Sequence, residues 1–229
     1  MDAFLHTFFD FSEMKAIFPT LVEEGLFNTF TIAFLSVNIG MLIGIVLAAM
    51  LSSSNSLLRI PSRIYIDIFR GLPAIVTVSL IGIGLPSAGF TFFGRSPTAY
   101  AVLAIGLISG SYMAEVFRSG IQSVPKGQYE AGRCLGFTGW RTMLYVIIPQ
   151  GVKNVLPALA NQFIIAIKES SLVFVLGLAA GQRDIYFIGM QRQEFTYNAS
   201  ATVAAALLYV AITVPLTYAV NAWDKRLQR

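Results

Sequence analysis

The chain is poor in charge: Asp, Glu, Lys and Arg make up 12% of its 229 residues, about half the share of an ordinary soluble domain. With 55% of residues hydrophobic, a surface built from so little charge excludes a free-standing, water-soluble globule. Cysteine is nearly absent. The lone Cys134 excludes an internal disulfide and a cysteine-based metal cluster. Histidine is as scarce: His6 stands alone near the start, so no resident metal, cofactor or histidine-based catalysis is expected of this chain. No G-x-x-x-x-G-K-[ST] occurs, which denies the chain a nucleotide phosphate loop of its own. The net charge is +4, but no basic run is interleaved with aromatics, so nucleic acid is not an expected partner.

What the chain does have is long apolar blocks. Each runs to about twenty residues, which at about 1.5 Å per residue crosses roughly 30 Å of hydrocarbon. The expected fold is a single all-α membrane domain, 1–229, with about five transmembrane helices near residues 26–50, 64–85, 98–118, 151–180 and 199–222. Its partner is therefore the lipid bilayer. The start, MDAFLHTFFDFSEMKAIF, carries acid at Asp2 and no basic lead-in; it reads as an interfacial Phe-rich helix rather than a cleavable signal peptide.

Charge is distributed unequally between the two sides. With the N-terminus outside, Arg59, Arg63, Arg70, Arg118, Lys126, Arg133, Arg141, Lys153, Lys225, Arg226 and Arg229 collect on the inner side. Lys15, Arg95, Arg183 and Arg192 remain outside. Positive residues favour the cytoplasmic side, so an external N-terminus and a cytoplasmic C-terminus are expected.

Residues 123–149, between the third and fourth spans, form a cytoplasmic segment with helix signals of its own. Ser123 and Pro125 are placed to open a helix through Glu130 and Arg133, and Gly136 to end it in a left-handed conformation. Thr138 is placed to cap a second helix that Pro149 stops. By pattern alone this is a structured connection between two spans.

The order Glu130-Ala131-Gly132, then Gly136, then Val146, Ile148 and Pro149 closely resembles the EAA motif of ABC importer permeases. Gly132 stands for the second Ala, Val146 for Ile and Ile148 for Leu. The stretches SYMAEVFRSGIQSVPKGQYEAG, IIPQGVKNVLPALANQF, IKESSLVFVLGL and FRGLPAIV are similar to permeases of polar amino acid importers. That resemblance implies the importer-permease fold in a bacterial or archaeal cytoplasmic membrane. It implies a coupling helix in which Glu130, Ala131 and Gly136 dock on a separate ABC ATPase that binds ATP and Mg. A second permease, identical or homologous, and an extracytoplasmic substrate-binding protein are implied as well.

One further feature stands out from the residues alone. Lys168-Glu169-Ser170-Ser171 interrupts an otherwise apolar fourth span, and a charge at mid-bilayer costs about 2.5 kcal/mol or more. Lys168 and Glu169 are adjacent, about 100° apart on a helix, and cannot pair face to face. Two readings follow: contact with a polar amino acid in transit, or ties to neighbouring helices. Asn161, seven residues before Lys168, shares its face, and Ser111, on the third span, is a candidate for the same path. Used as an ion relay, Lys168 and Glu169 would instead make the chain a secondary transporter, a reading that leaves the EAA-like segment without a purpose.

Overall fold

The computed structural model describes residues 1–94 and 96–227, without the side chains of Asp2 and Ala3. Arg95 and Arg229, used in the charge count above, therefore lie outside the described residues. Helices α1 (Asp2–Phe8) and α2 (Phe11–Thr20) lead through a π-helical turn, Leu21–Leu26, into α3 (Phe27–Leu51). Next come α4 (Ser56–Gly71), α5 (Ala74–Ser79), a second π turn and α6 (Leu85–Ser87). Helix α7 (Pro97–Ser123) is followed by α8 (Lys126–Cys134) and α9 (Gly139–Thr142). A third π turn joins α9 to α10 (Ile148–Glu169), which tightens into a 3-10 helix, Ser170–Leu176. Helices α11 (Ile185–Thr196) and α12 (Ser200–Leu227) complete the chain.

Helices α3 and α7 run parallel and touch at glycines. A Cβ on Gly40 would lie 2.7 Å from the Cβ of Ser109, and one on Gly110 would lie 2.7 Å from Cγ2 of Ile43. Small residues at both faces let the backbones approach closely, the usual basis of helix association in lipid. Around this pair the core gathers Ile32, Val78, Ile105, Met113, Ile167 and Val173. A second cluster, from Ile17 and Leu21 through Ile185 to Ala205, closes the end where α1 and α2 lie.

Among the described residues four helical stretches are long and apolar enough to cross a membrane: Phe4–Leu51, Pro97–Ser123, Gly139–Leu176 and Ser200–Leu227. The bent pair α4–α5 makes a fifth crossing when it is counted as one span. Instead of a continuous helix over 64–85, α4 meets α5 at a 107° bend. The cause is Pro73: Leu72 before it is extended at φ −82°, ψ 138°, as the proline ring requires of its predecessor. Helix α4 passes obliquely over α7, for Arg63 reaches Glu115 while Arg70, two turns on, lies over the ring of Tyr112. Thus about 10 Å of travel along α4 corresponds to only about 4.5 Å along α7. With this crossing, the N-terminus and the C-terminal end of α12 fall at opposite ends of the bundle, and α8 and α9 share the C-terminal end.

Candidate functional site: an exposed knob and a polar cleft joined by one helix

Local sequence dictates the shape of the knob. Val124 is extended ahead of Pro125, which serves as the N-cap of α8. Ser123 does not cap that helix: its hydroxyl donates to the Gly120 carbonyl and accepts from the Asn154 amide, finishing α7 instead. Gly136 ends α8 at φ +86°, with Phe137 N–H donating to the Gly132 carbonyl and Gly136 N–H to that of Arg133. This is the Schellman arrangement, whose left-handed residue favours glycine. Thr138 then accepts from Arg141 N–H and opens α9.

Gly132 has a direct steric reason. A Cβ there would sit 2.6 Å from Cγ2 of Thr142, so the departure from the EAA pattern lets α8 lie against α9. Glu130 and Ala131 are exposed, and around them Leu135, Trp140 and Tyr145 are 78%, 70% and 66% exposed. Large exposed apolar groups on the same short helices as an exposed acid form a surface suited to a protein partner.

Pro149 does not end the second helix. It falls in the first turn of α10, and the π turn Met143–Ile147 just before it keeps the helix continuous. Such turns absorb the donor that proline lacks. The helical stretch that carries the fourth span therefore begins at Gly139, inside the knob.

Further along α10, Asn154, Ala158, Asn161 and Lys168 are exposed and Ile165 is half-buried. Their spacing of four, three, four and three makes one stripe. Glu169 is half-buried beside it, and neither Lys168 nor Glu169 forms a salt bridge among the described residues. Ser171 is half-buried, its hydroxyl donating to the Lys168 carbonyl. Ser170 and Ser111 are fully buried and bond to the carbonyls of Ile167 and Ile108. They present no free hydroxyl to an open surface.

Next to the stripe lies a cleft of about 500 Å³ lined by Arg63, Arg70, Tyr112, Glu115, Arg118 and Gln162, among others. Glu115 accepts from Arg118 at 2.7 Å and from Arg63 at 3.2 Å, so two of the three arginines are tied to one acid. Arg70 stacks over Tyr112 at 5.4 Å. Gln162 is 8% exposed and its amide has no hydrogen-bond partner among the described residues. A buried amide left open toward a cleft is ready to accept and donate. In the sequence Arg63 counts only toward the charge bias, and Arg70 toward that bias and the FRGLPAIV stretch; neither points to the cleft, because their partners Glu115 and Tyr112 lie on another helix.

At the opposite end, Asp184 is fully buried. It caps α11 by accepting from the N–H groups of Tyr186 and Phe187, and it accepts from the hydroxyl of Tyr209. Burial pushes this carboxyl up to about 6, against the opposing pull of its Phe187 and Tyr209 donors.

This architecture has known counterparts. Residues 40–229 match the family described as binding-protein-dependent transport system inner membrane component. The chain is 33% identical over 224 residues to the glutamine transport system permease protein GlnP of Escherichia coli, covering 96% of this chain and 98% of that one. It is 31% identical over 210 residues to the probable glutamine ABC transporter permease protein GlnM of Bacillus subtilis, covering 92% and 94%. A crystal structure of an amino acid ABC transporter with histidines superposes with a TM-score of 0.83 at 35% identity, over 95% of this chain and 98% of that one. An inward-facing structure of the MetNI methionine ABC transporter shares the fold with a TM-score of 0.75 at 20% identity, over 91% and 97%. With its bundle, its glycine-ended knob and its EAA-like order all in agreement, the chain belongs to the family of inner membrane components of binding-protein-dependent transport systems.

Proposed function

We propose that this permease subunit carries a polar amino acid across the cytoplasmic membrane of a bacterium or archaeon, driven by a separate ABC ATPase that docks on α8 and α9. The observation that carries this reading is the continuous helix from Gly139 to Glu169. One end of it sits in the exposed knob with Glu130, Ala131 and Gly136, and the other bears Lys168 and Glu169. A push on the knob is therefore a displacement of the polar stripe. ATP and Mg belong to the partner, consistent with the missing phosphate loop in this chain.

The substrate path runs over the stripe and the cleft: Asn161, Gln162, Lys168, Glu169 and Ser171, with Ser170 and Ser111 behind them. An amino acid carries an ammonium and a carboxylate, and both lose water on entering hydrocarbon. Glu169 accepts from the first; Lys168, Gln162 and the Ser171 hydroxyl donate to the second. Exposed Asn161 and Lys168 on a spanning helix cannot face lipid tails cheaply. A second permease, identical or homologous, covers that side, and a substrate-binding protein delivers the amino acid at the α1–α2 end. The N-terminus is then outside and the C-terminus in the cytoplasm. Nothing supports an ion-coupled mechanism, in which the knob would have no role.

Gly136→Leu tests the docking. A side chain at φ +86° costs about 1 kcal/mol or more and places bulk on a surface where a Cβ meets nothing within 4 Å in the isolated chain. The variant should insert normally yet fail to retain the ATPase on co-purification in mild detergent. Full retention with undiminished uptake would remove the knob from the coupling role.

A further inference from the structure

Tyr209, on α12, lies where two distant points of the chain meet. Its hydroxyl donates to Oδ2 of Asp184 at 3.0 Å, and its oxygen lies 3.4 Å from Oγ of Ser170, placed to accept a share of the proton that Ser170 also gives to the Ile167 carbonyl. Ser170 begins the 3-10 helix that follows α10, and Asp184 caps α11. The segment between them is thus a loop whose neck is closed by this phenol, with buried Thr29 accepting from Ile185 N–H beside it.

Beyond the neck the loop is tied down separately. It leaves the 3-10 helix through Gly177 at φ +66° and turns again at Gly181 at φ +83°. Glu24 accepts from the N–H groups of Gly181 and Arg183 and from the Arg183 guanidinium. Asn28, one turn later on the first long helix, donates to the carbonyls of the same two residues. The outer part of the loop is therefore held by Glu24 and Asn28, the α11 side of the neck by Thr29, and Tyr209 alone reaches from the neck to Ser170.

Apolar packing around Ile167 and Val173 tolerates sliding of a helix along its axis. A directional bond from half-buried Tyr209 to buried Asp184 and Ser170 does not, because breaking it leaves a buried carboxylate or hydroxyl short of a partner. Ser170 sits between Glu169 and Ser171, so whatever fixes Ser170 fixes the direction of both.

We propose that Tyr209 is a positioning residue for the substrate path: by joining Ser170 to Asp184 it sets where α10 tightens into the 3-10 helix, and so how Glu169 and Ser171 face the cleft. Its consequence for transport rests on the path reading above, but its structural content does not. The test therefore uses cysteine labelling, which needs no substrate.

In a Cys134→Ser background, Ser171→Cys is labelled with a water-soluble maleimide in the assembled transporter, with Thr91→Cys, on an exposed turn away from both knob and path, as the reporter of general loosening. Tyr209→Phe removes only the hydroxyl. It should raise the labelling rate at position 171 by about 2- to 10-fold, the local opening that one lost buried hydrogen bond allows, and leave position 91 unchanged. Equal rates at 171 with and without the hydroxyl would overturn the proposal, as would an equal rise at both positions, which indicates general loosening. Should Tyr209→Phe fail to assemble, Asp184→Thr, which keeps a capping oxygen but shortens the reach to Tyr209, is labelled in the same way with the same outcomes. Failure of the path reading shows separately, as normal uptake in Glu169→Gln.

Discussion

Glu169 and Asp184 are both acids removed from water, but their surroundings divide their roles. Asp184 has three donors directed at it and functions in the architecture. Glu169 has no salt-bridge partner among the described residues and stands beside an exposed lysine. Glu169→Gln keeps its size and removes its charge. Uptake should fall at least tenfold, about 1.4 kcal/mol of lost binding in transit, while the complex still assembles. Loss of assembly ahead of loss of uptake would mark Glu169 as a structural tie instead. Asp184 predicts a different behaviour, in pH. Its folded-state value is raised, so the folded protein takes up a proton more readily than the unfolded chain. The associated stability is complete below the ordinary carboxylate value of 3.8 and is lost as pH rises through about 6. Lowering the pH from 7 to 5 should therefore raise the melting temperature of the native protein relative to Asp184→Asn, an effect of at most a few kcal/mol. Parallel pH profiles for the two proteins would show that Asp184 does not titrate in this range.

At the scale of elements, two breaks and one continuity organise the molecule. The bend at Pro73 turns Arg63 and Arg70 toward α7, where the cleft forms. The 3-10 segment after Glu169 interrupts the fourth span near its polar residues, a placement that transporters use for substrate sites. Between knob and stripe, however, the helix does not break, despite Pro149. Inserting Gly-Gly after Met143 should soften this joint, since each glycine costs about 1 kcal/mol in a helix interior. The ATPase should still co-purify, while substrate-stimulated hydrolysis and uptake are lost together. Normal uptake from that variant would mean that force reaches the path by another element.

For the whole molecule, the decisive property is that its two termini lie at opposite ends, with α8 and α9 at the C-terminal end. Positive residues crowd that same end: Arg59, Arg63, Lys126, Arg133, Arg141, Lys153, Lys225 and Arg226. Cysteines placed at positions 10 and 225 in a Cys134→Ser background should report this in intact cells. A membrane-impermeant maleimide should reach position 10 at once and position 225 only after permeabilisation. The reverse pattern would invert the topology and with it the assignment of the knob to the ATPase side.

Much of this was legible from residue order, because its causes are local. Apolar block length sets the spans, Gly136 and Thr138 carry their own turn and cap chemistry, and Asn161 and Lys168 share a face by helical period alone. The EAA-like order points to the family by itself. Other features depend on contacts between distant residues. Ser123 seemed a cap for α8, but Asn154, from the next span, draws its hydroxyl elsewhere. Pro149 seemed a stop, but packing of Gly151 against Gly120 rewards continuing the helix and a π turn absorbs the proline. Ser170 and Ser111 looked available in sequence and are enclosed by neighbouring helices. The placement of Arg63 and Arg70 at the cleft and the Tyr209 bridge have no local signature: residues far apart in the chain become partners only once the helices pack. The sequence by itself determined the membrane class, the span periodicity and the knob, through short-range chemistry. Tertiary structure alone decided which polar groups stay open to a substrate and which are consumed in holding the bundle together.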